Sequence, residues 1–275
     1  MRPFNKAAEC SKHLFLTVIL VLSFLPLLLM LNISLKDNVQ FAHDPLGVTF
    51  PLHWENYLMG WEYIGGTIFN TAFVAGSVTL LSLILAIGGA YFFARFRLPG
   101  SDFLFFLFIA LMTYPTVANM VPMFSLLSEL GLFNTHLALI LPAVAGAQAF
   151  NIFVLRNFIA EIPQDLFDAA EVDGATIWQQ LRYIVLPHTM PAIGALGILL
   201  LLTQWNSFVA PLLYLRDDEL QLLSVALMRL EGEYTKNWGG LMAGYVIASL
   251  PLIILFFFCM ELFIKGLSSN GNFKR

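Results

Sequence analysis

Ile162-Pro163-Gln164-Asp165-Leu166-Phe167-Asp168-Ala169-Ala170-Glu171-Val172-Asp173-Gly174-Ala175-Thr176-Ile177-Trp178-Gln179-Gln180-Leu181-Arg182-Tyr183-Ile184-Val185-Leu186-Pro187 is an amphipathic island between two strongly apolar runs. Pro163 suits the first turn of a helix, where its missing N–H costs nothing. Asp165 and Asp168 then fall near the positive end of that helix. Gly174 permits a left-handed or sharp turn. Thr176 with Gln179 three residues on is a capping box for a second helix, which Leu186-Pro187 is expected to close. The island therefore reads as a helical hairpin whose bend, around Ala169, Ala170 and Gly174, is smooth enough for another backbone to approach.

The sequence around it is a membrane sequence. Apolar residues make up 59% of 275 positions and charged residues 12%, against about 25% charged in an ordinary soluble domain. That surplus of apolar surface has to face lipid. Leu14 to Ile33, Ile68 to Ala94, Phe103 to Leu127, His136 to Leu155, Met190 to Leu213 and Leu241 to Ile264 are each long enough to cross about 30 Å of hydrocarbon as a helix. The expected fold is an all-α membrane protein of about six spans, with the hairpin between the fourth and fifth. A retained first span fits Leu14 to Ile33 better than a cleaved signal, because no small-x-small site follows. The chain reads as one domain over 1–275, with a core at about 68–264, the hairpin at 160–188 and a short tail at 265–275.

Placing the N-terminus inside puts Arg2, Lys6, Lys12, Arg95, Arg97, Arg156, Arg182, Lys265, Lys274 and Arg275 on the cytoplasmic side. Lys36, Arg216, Arg229 and Lys236 fall outside. That asymmetry orients the chain with both termini in the cytoplasm of a multi-pass protein of the cell membrane. A net charge of −4 leaves no basic face for nucleic acid. Cys10 and Cys259 suggest neither a disulfide frame nor a metal site. His13, His43, His53, His136 and His188 are scattered, with no metal-ligand spacing.

Several polar residues interrupt the apolar runs. Thr203-Gln204-Trp205-Asn206-Ser207 stands in the fifth, Gln148 and Asn151 share a face of the fourth, and Tyr114, Asn119, Pro115 and Pro122 punctuate the third. Such groups face a water-filled path or another helix. Thr203, Gln204, Trp205, Asn206, Gln148, Asn151 and Asn119 are thus candidates for a solute path, with interhelical hydrogen bonding as the other reading. Glu261, near the inner end of the sixth run, is expected to snorkel or to pair with a nearby base.

The island resembles the cytoplasmic coupling motif of ATP-binding-cassette importer permeases, written Glu-Ala-Ala, three residues, Gly, nine residues, Ile-x-Leu-Pro. Asp168-Ala169-Ala170, Gly174 and Ile184-Val185-Leu186-Pro187 keep that spacing, with Asp168 where Glu is usual. Asp173-Gly174-Ala175 is similar to the carbohydrate, maltose-type branch. So are Trp54, Asn56 and Tyr57, Asn134-Thr135, Trp205-Asn206 and Lys265-Gly266-Leu267. The resemblance implies a non-enzymatic permease subunit that pairs with a second permease as a heterodimer and with two ATPase subunits. It further implies import of a sugar or oligosaccharide delivered by an extracytoplasmic binding protein. Asp168, Ala169, Ala170, Asp173, Gly174, Leu186 and Pro187 would carry the coupling to the ATPases. No cofactor is expected on this chain, ATP and Mg belonging to the ATPases, because no Gly-x-x-x-x-Gly-Lys-Ser/Thr loop occurs in it. Other solutes (a glycerol-phosphodiester, a polyamine or a peptide) are alternatives for the same machine. A secondary transporter would need an inverted repeat and a midplane ionisable residue, and neither is found.

The charge asymmetry carries a test: tags at residue 1 and at residue 275 should both resist a membrane-impermeant reagent in intact cells. Labelling of the C-terminal tag from outside would reverse the orientation.

Overall fold

The computed structural model describes residues 6–96, 99–113, 116–233 and 237–268; the side chains of 6–8, 10, 116–117, 233 and 258–268 also lie outside the description. Tyr114, Pro115, Arg2, Arg97, Lys236, Lys274 and Arg275 are therefore outside the described residues, as are the side chains of Lys6, Cys10, Cys259, Glu261 and Lys265.

Every helix or strand assigned among the described residues is helical: α1 Lys6–Ser34, α2 Asn38–His43, α3 Glu55–Arg95, α4 Ser101–Leu111, α5 Met120–Glu129, α6 Leu137–Ala160, α7 Gln164–Val172, α8 Ile177–Gln180, α9 Leu186–Trp205, α10 Val209–Tyr214, α11 Leu223–Glu233 and α12 Trp238–Ser268. Among the described residues, five helical stretches are long and apolar enough to cross a membrane: Ser11–Ser34, Glu55–Arg95, Leu137–Ala160, Ile177–Trp205 and Trp238–Phe257.

The third apolar run departs from the expected single span. It forms α4, then a 3₁₀ turn at Thr116–Asn119, then α5. Pro122 falls in the first turn of α5, where a proline is tolerated, so it opens a helix rather than bending one. Two other boundaries moved. Helix α3 begins thirteen residues ahead of the apolar run that announced it, in a stretch containing Glu55, Asn56, Tyr57 and Glu62. Its 41 residues span about 62 Å, roughly twice the hydrocarbon thickness, so polar residues at one end are no obstacle to helix. The acidic loop after the fifth run also contains a helix, α11, whose Leu223, Val225 and Leu230 are buried.

The chain divides into two compact units, 1–66 with 226–251 and 67–225 with 252–275. In the first, the C-terminal end of α1 is closed by side chains from α3. Asn56 Nδ2 donates to the carbonyls of Ser34 and Lys36, both at 2.9 Å. The Tyr57 hydroxyl meets Ser34 Oγ at 2.7 Å. Lys36 is only 1% exposed, and its ammonium donates to the carbonyls of Asp44 and Gly47. Gly60 approaches α12 so closely that a Cβ there would lie 3.0 Å from the Gly244 nitrogen.

In the second unit two apolar clusters build the core. One joins Ala86, Ala90 and Tyr91 of α3 to Ile152, Leu155 and Ile159 of α6, to Phe167 of α7 and to Ala192 and Leu196 of α9. The other joins Val74 and Val78 to Leu127, Leu139, Val144, Tyr214 and Leu222. Helices α6 and α9 pack along one another.

Asn56 answers two backbone acceptors at a helix end that is otherwise short of donors. Asn56→Leu keeps the size and removes both bonds, so stability should fall by about 1–3 kcal/mol. A lowered Tm of the detergent-purified chain would register it; an unchanged Tm would mean the α1 terminus is held by something else.

Candidate functional site

The hairpin forms from local rules. Pro163 is the N-cap of α7 and Asp165 lies in its first turn. At the other end Gly174 takes φ +75°. Its N–H bonds the Glu171 carbonyl at 3.0 Å, while the Ala175 N–H reaches back five residues to Ala170 at 2.8 Å. That pair of bonds is a Schellman closure, which requires a left-handed residue after the cap. Ala170 and Ala175 are the small residues that meet across it. Thr176 then caps α8: the Gln179 N–H donates to its hydroxyl while the Gln179 carboxamide accepts from the Thr176 N–H, the expected capping box.

Phe167 anchors the hairpin. It is 1% exposed, packs in the first cluster and carries the Arg95 guanidinium 3.6 Å from its ring centroid. Arg95 also donates to Gln164 Oε1 at 2.5 Å, and Gln164 Nε2 donates to Asp168 at 2.7 Å. Asp168 is thus tied into the guanidinium network through a carboxamide. The buried Gln180 accepts from the Tyr91 hydroxyl at 2.6 Å. With the inner face pinned, the outer face is left open. Asp168, Ala169, Asp173 and Gly174 are exposed, and a Cβ built on Gly174 meets nothing within 4 Å. Val172 at 88% and Trp178 at 70% exposed add an apolar surface there.

Leu186-Pro187 does not close the second arm, contrary to the sequence expectation. Residues 177–205 run as one 29-residue helical stretch. A π turn over Leu181–Val185 absorbs the proline: the Leu186 N–H bonds Leu181, five residues back, and the helix runs on past Pro187 although that residue brings no donor. Leu186 is half-buried and Pro187 exposed on this continuous rod.

The far end of the rod reaches a cavity of about 640 Å³. The cavity exists because α6 presents Ala143, Gly146 and Ala149 to it, three small residues at helical spacing. A Cβ on Gly146 would meet nothing within 4 Å. Asn119 and Gln204 line it, as do Ser207 and Tyr214. Asn119 makes no side-chain capping bond to α5, and the Tyr214 hydroxyl donates to the Met120 carbonyl at 3.3 Å.

Of the seven candidate path residues, the structure brings Asn119 and Gln204 together at this wall. The others go elsewhere. Thr203 Oγ1 donates to Leu199 O at 2.7 Å, and Asn206 Nδ2 to Leu202 O at 2.8 Å, each four residues back along α9. Asn206 caps α9, and the fifth run breaks at 206–208 before α10. Trp205 is buried. Gln148 lies in the seam between α6 and α3, its Nε2 donating to Val144 O at 2.8 Å and to Ser82 O at 3.4 Å; Asn151 is 1% exposed. Sequence reading missed Ser207 and Tyr214 at the wall, and Arg95, Tyr91 and Gln180 beneath the hairpin. The Ala-x-x-Gly-x-x-Ala spacing in the fourth run is the signal that points to the cavity.

Known proteins are similar to this chain along nearly its whole length. The diacetylchitobiose uptake system permease protein of Streptomyces coelicolor is 31% identical over 269 residues, 95% of this chain and 88% of that protein. An arabinooligosaccharides transport system permease protein of Bacillus subtilis is 31% identical, covering 94% of this chain and 93% of its own length. A probable ABC transporter permease protein of the same organism is 30% identical over 96% of this chain and 88% of its own. Among solved structures, a bacterial ABC transporter involved in the import of the acidic polysaccharide alginate contains a chain of the same fold, with a TM-score of 0.81 at 21% identity over 95% of this chain and 98% of that one. Residues 79–269 match the family of binding-protein-dependent transport system inner membrane components, and with relatives at this identity along its length the chain belongs to that family.

Proposed function

We propose that this permease is one half of the membrane channel of an ATP-driven importer, that it passes a sugar or oligosaccharide, and that the hairpin is where ATPase motion enters the chain. The observation that carries this reading is the continuity of residues 177–205. That rod, about 43 Å long at 1.5 Å per residue, begins three residues beyond Gly174 and ends beside Gln204 at the cavity wall. A displacement of the exposed turn therefore moves the cavity wall with it. The resemblance of the chain to permeases named for diacetylchitobiose and arabinooligosaccharide transport supports the solute class. A second permease closes the cavity from the other side. Two ATPase subunits receive the hairpins and hydrolyse ATP with Mg, and an extracytoplasmic binding protein delivers the solute. Both termini are cytoplasmic, following the charge asymmetry. Asp168, Ala169, Ala170, Asp173 and Gly174 form the docking turn, and Leu186 and Pro187 carry the load past the π turn. Gln148 bridges the seam between α3 and α6, and Asn151 is buried on the same helix.

Two kinds of substitution at Gly174 separate folding from docking. Gly174→Ala forces a Cβ into left-handed backbone, a strain of about 1–2 kcal/mol, and should destabilise the isolated chain. Gly174→Asn tolerates that backbone, whereas Gly174→Trp adds to the strain of the alanine the greatest bulk, at a position with open space around it in this chain. In the assembled importer both should lower transport and co-purification of the ATPase while the permease still inserts. Normal transport with full ATPase retention in Gly174→Trp would sink the assignment of the turn.

A further inference from the structure

From the chemistry of the cavity wall we infer that the solute passing this chain is an electrically neutral oligosaccharide, not a uronate or sulfonated sugar and not a polyamine. The inference rests on the sugar-permease reading above and narrows it. Among the described residues, the polar groups that this chain offers to the 640 Å³ cavity are two carboxamides, Asn119 and Gln204, and two hydroxyls, Ser207 and Tyr214. The remaining wall is apolar or small, including Met120 and the open strip at Gly146.

A carboxamide both donates and accepts, and a hydroxyl does the same. Such groups match sugar hydroxyls, which also do both. The apolar strip suits the C–H faces of sugar rings, and the volume is that of a small-molecule site. An ion gains far less there. A carboxylate or ammonium entering a neutral, largely apolar wall gives up its hydration and meets no opposite charge, so its desolvation goes uncompensated. The distinction matters because chains of this fold serve both solute types: the alginate transporter handles an acidic polysaccharide, while arabinooligosaccharides are neutral.

The test uses the complete importer with its own partner permease, ATPases and binding protein, reconstituted in liposomes. Uptake is measured for neutral malto-, chito-, arabino- and galacto-oligosaccharides, for oligouronates of like length, and for a polyamine. The expected result is import of at least one neutral oligosaccharide, with every oligouronate poorer by about tenfold or more, the factor that 1.4 kcal/mol of unpaid desolvation gives. Gln204→Glu, which places an anion on the wall with little change of size, should lower neutral-sugar uptake by on the order of tenfold in a complex that still assembles on size exclusion. An oligouronate imported as well as any neutral sugar overturns the inference and leaves the sugar-permease reading standing. Uptake of the polyamine alone, or ATP hydrolysis with uptake of no sugar, overturns both. A wild-type rate for Gln204→Glu shows that the solute does not pass this wall, which also overturns the inference.

Discussion

A backbone crossing hydrocarbon has no water to turn to, so each N–H and C=O in it needs a partner inside the protein. The stretch at 181–187 shows how much depends on meeting that demand. Pro187 takes one donor out of the ladder, and the helix does not stop; it widens to π spacing, so that Leu186 reaches Leu181 instead of its usual partner. The rod survives from Ile177 to Trp205. Had the proline ended a helix, the hairpin would hang from a loop and the cavity wall would be free of it. The same demand shapes the other end of the turn. Helix α7 finishes in a Schellman closure, which supplies donors to the carbonyls of Ala170 and Glu171 before the chain reverses.

How far the sequence revealed this depends on whether the deciding forces were local. Among the described residues, hydrophobic runs located the five helical stretches long and apolar enough to cross a membrane, because lipid imposes one composition on a long window. Gly174 and the Thr176–Gln179 box were legible because left-handed backbone and capping are settled within four residues. Proline was ambiguous: Pro122 sits in the first turn of a helix and Pro187 inside a continuous one, and both are spelled like a proline that ends a helix. The first turns of α3 escaped notice because Glu55 and Asn56 are polar at the end of a helix longer than the bilayer. The path residues divided for a similar reason. Thr203 and Asn206 satisfy themselves on their own helix, so their polarity says nothing about a solute. The cavity is defined by what α6 lacks, and small side chains attract less attention in a sequence than amides do.

Lys36 shows a charge put to structural use. It counts among the outer bases in a charge tally, yet its ammonium is buried and gathers the carbonyls of Asp44 and Gly47, beside the carbonyl of its own residue that Asn56 takes. A flexible four-carbon stem with three donors can gather carbonyls from a loop that has no strand or helix of its own to pair them. The family resemblance at Trp54, Asn56 and Tyr57 thus has a physical content: Asn56 and Tyr57 close the end of the first helix.

The π turn has a consequence for comparing relatives of this chain. An α-helix advances about 100° per residue, and a π turn accommodates one residue more than the α pattern over the same rise. The buried stripe that includes Gln180 and the one that includes Ala192 and Leu196 are therefore out of phase by a single position. An alignment carrying a one-residue gap between 181 and 185 would mark a helix that has regained α spacing there, with everything from Pro187 onward turned about its own axis. Insertions are usually absorbed by loops; in this rod the place to look for one is the middle of a helix.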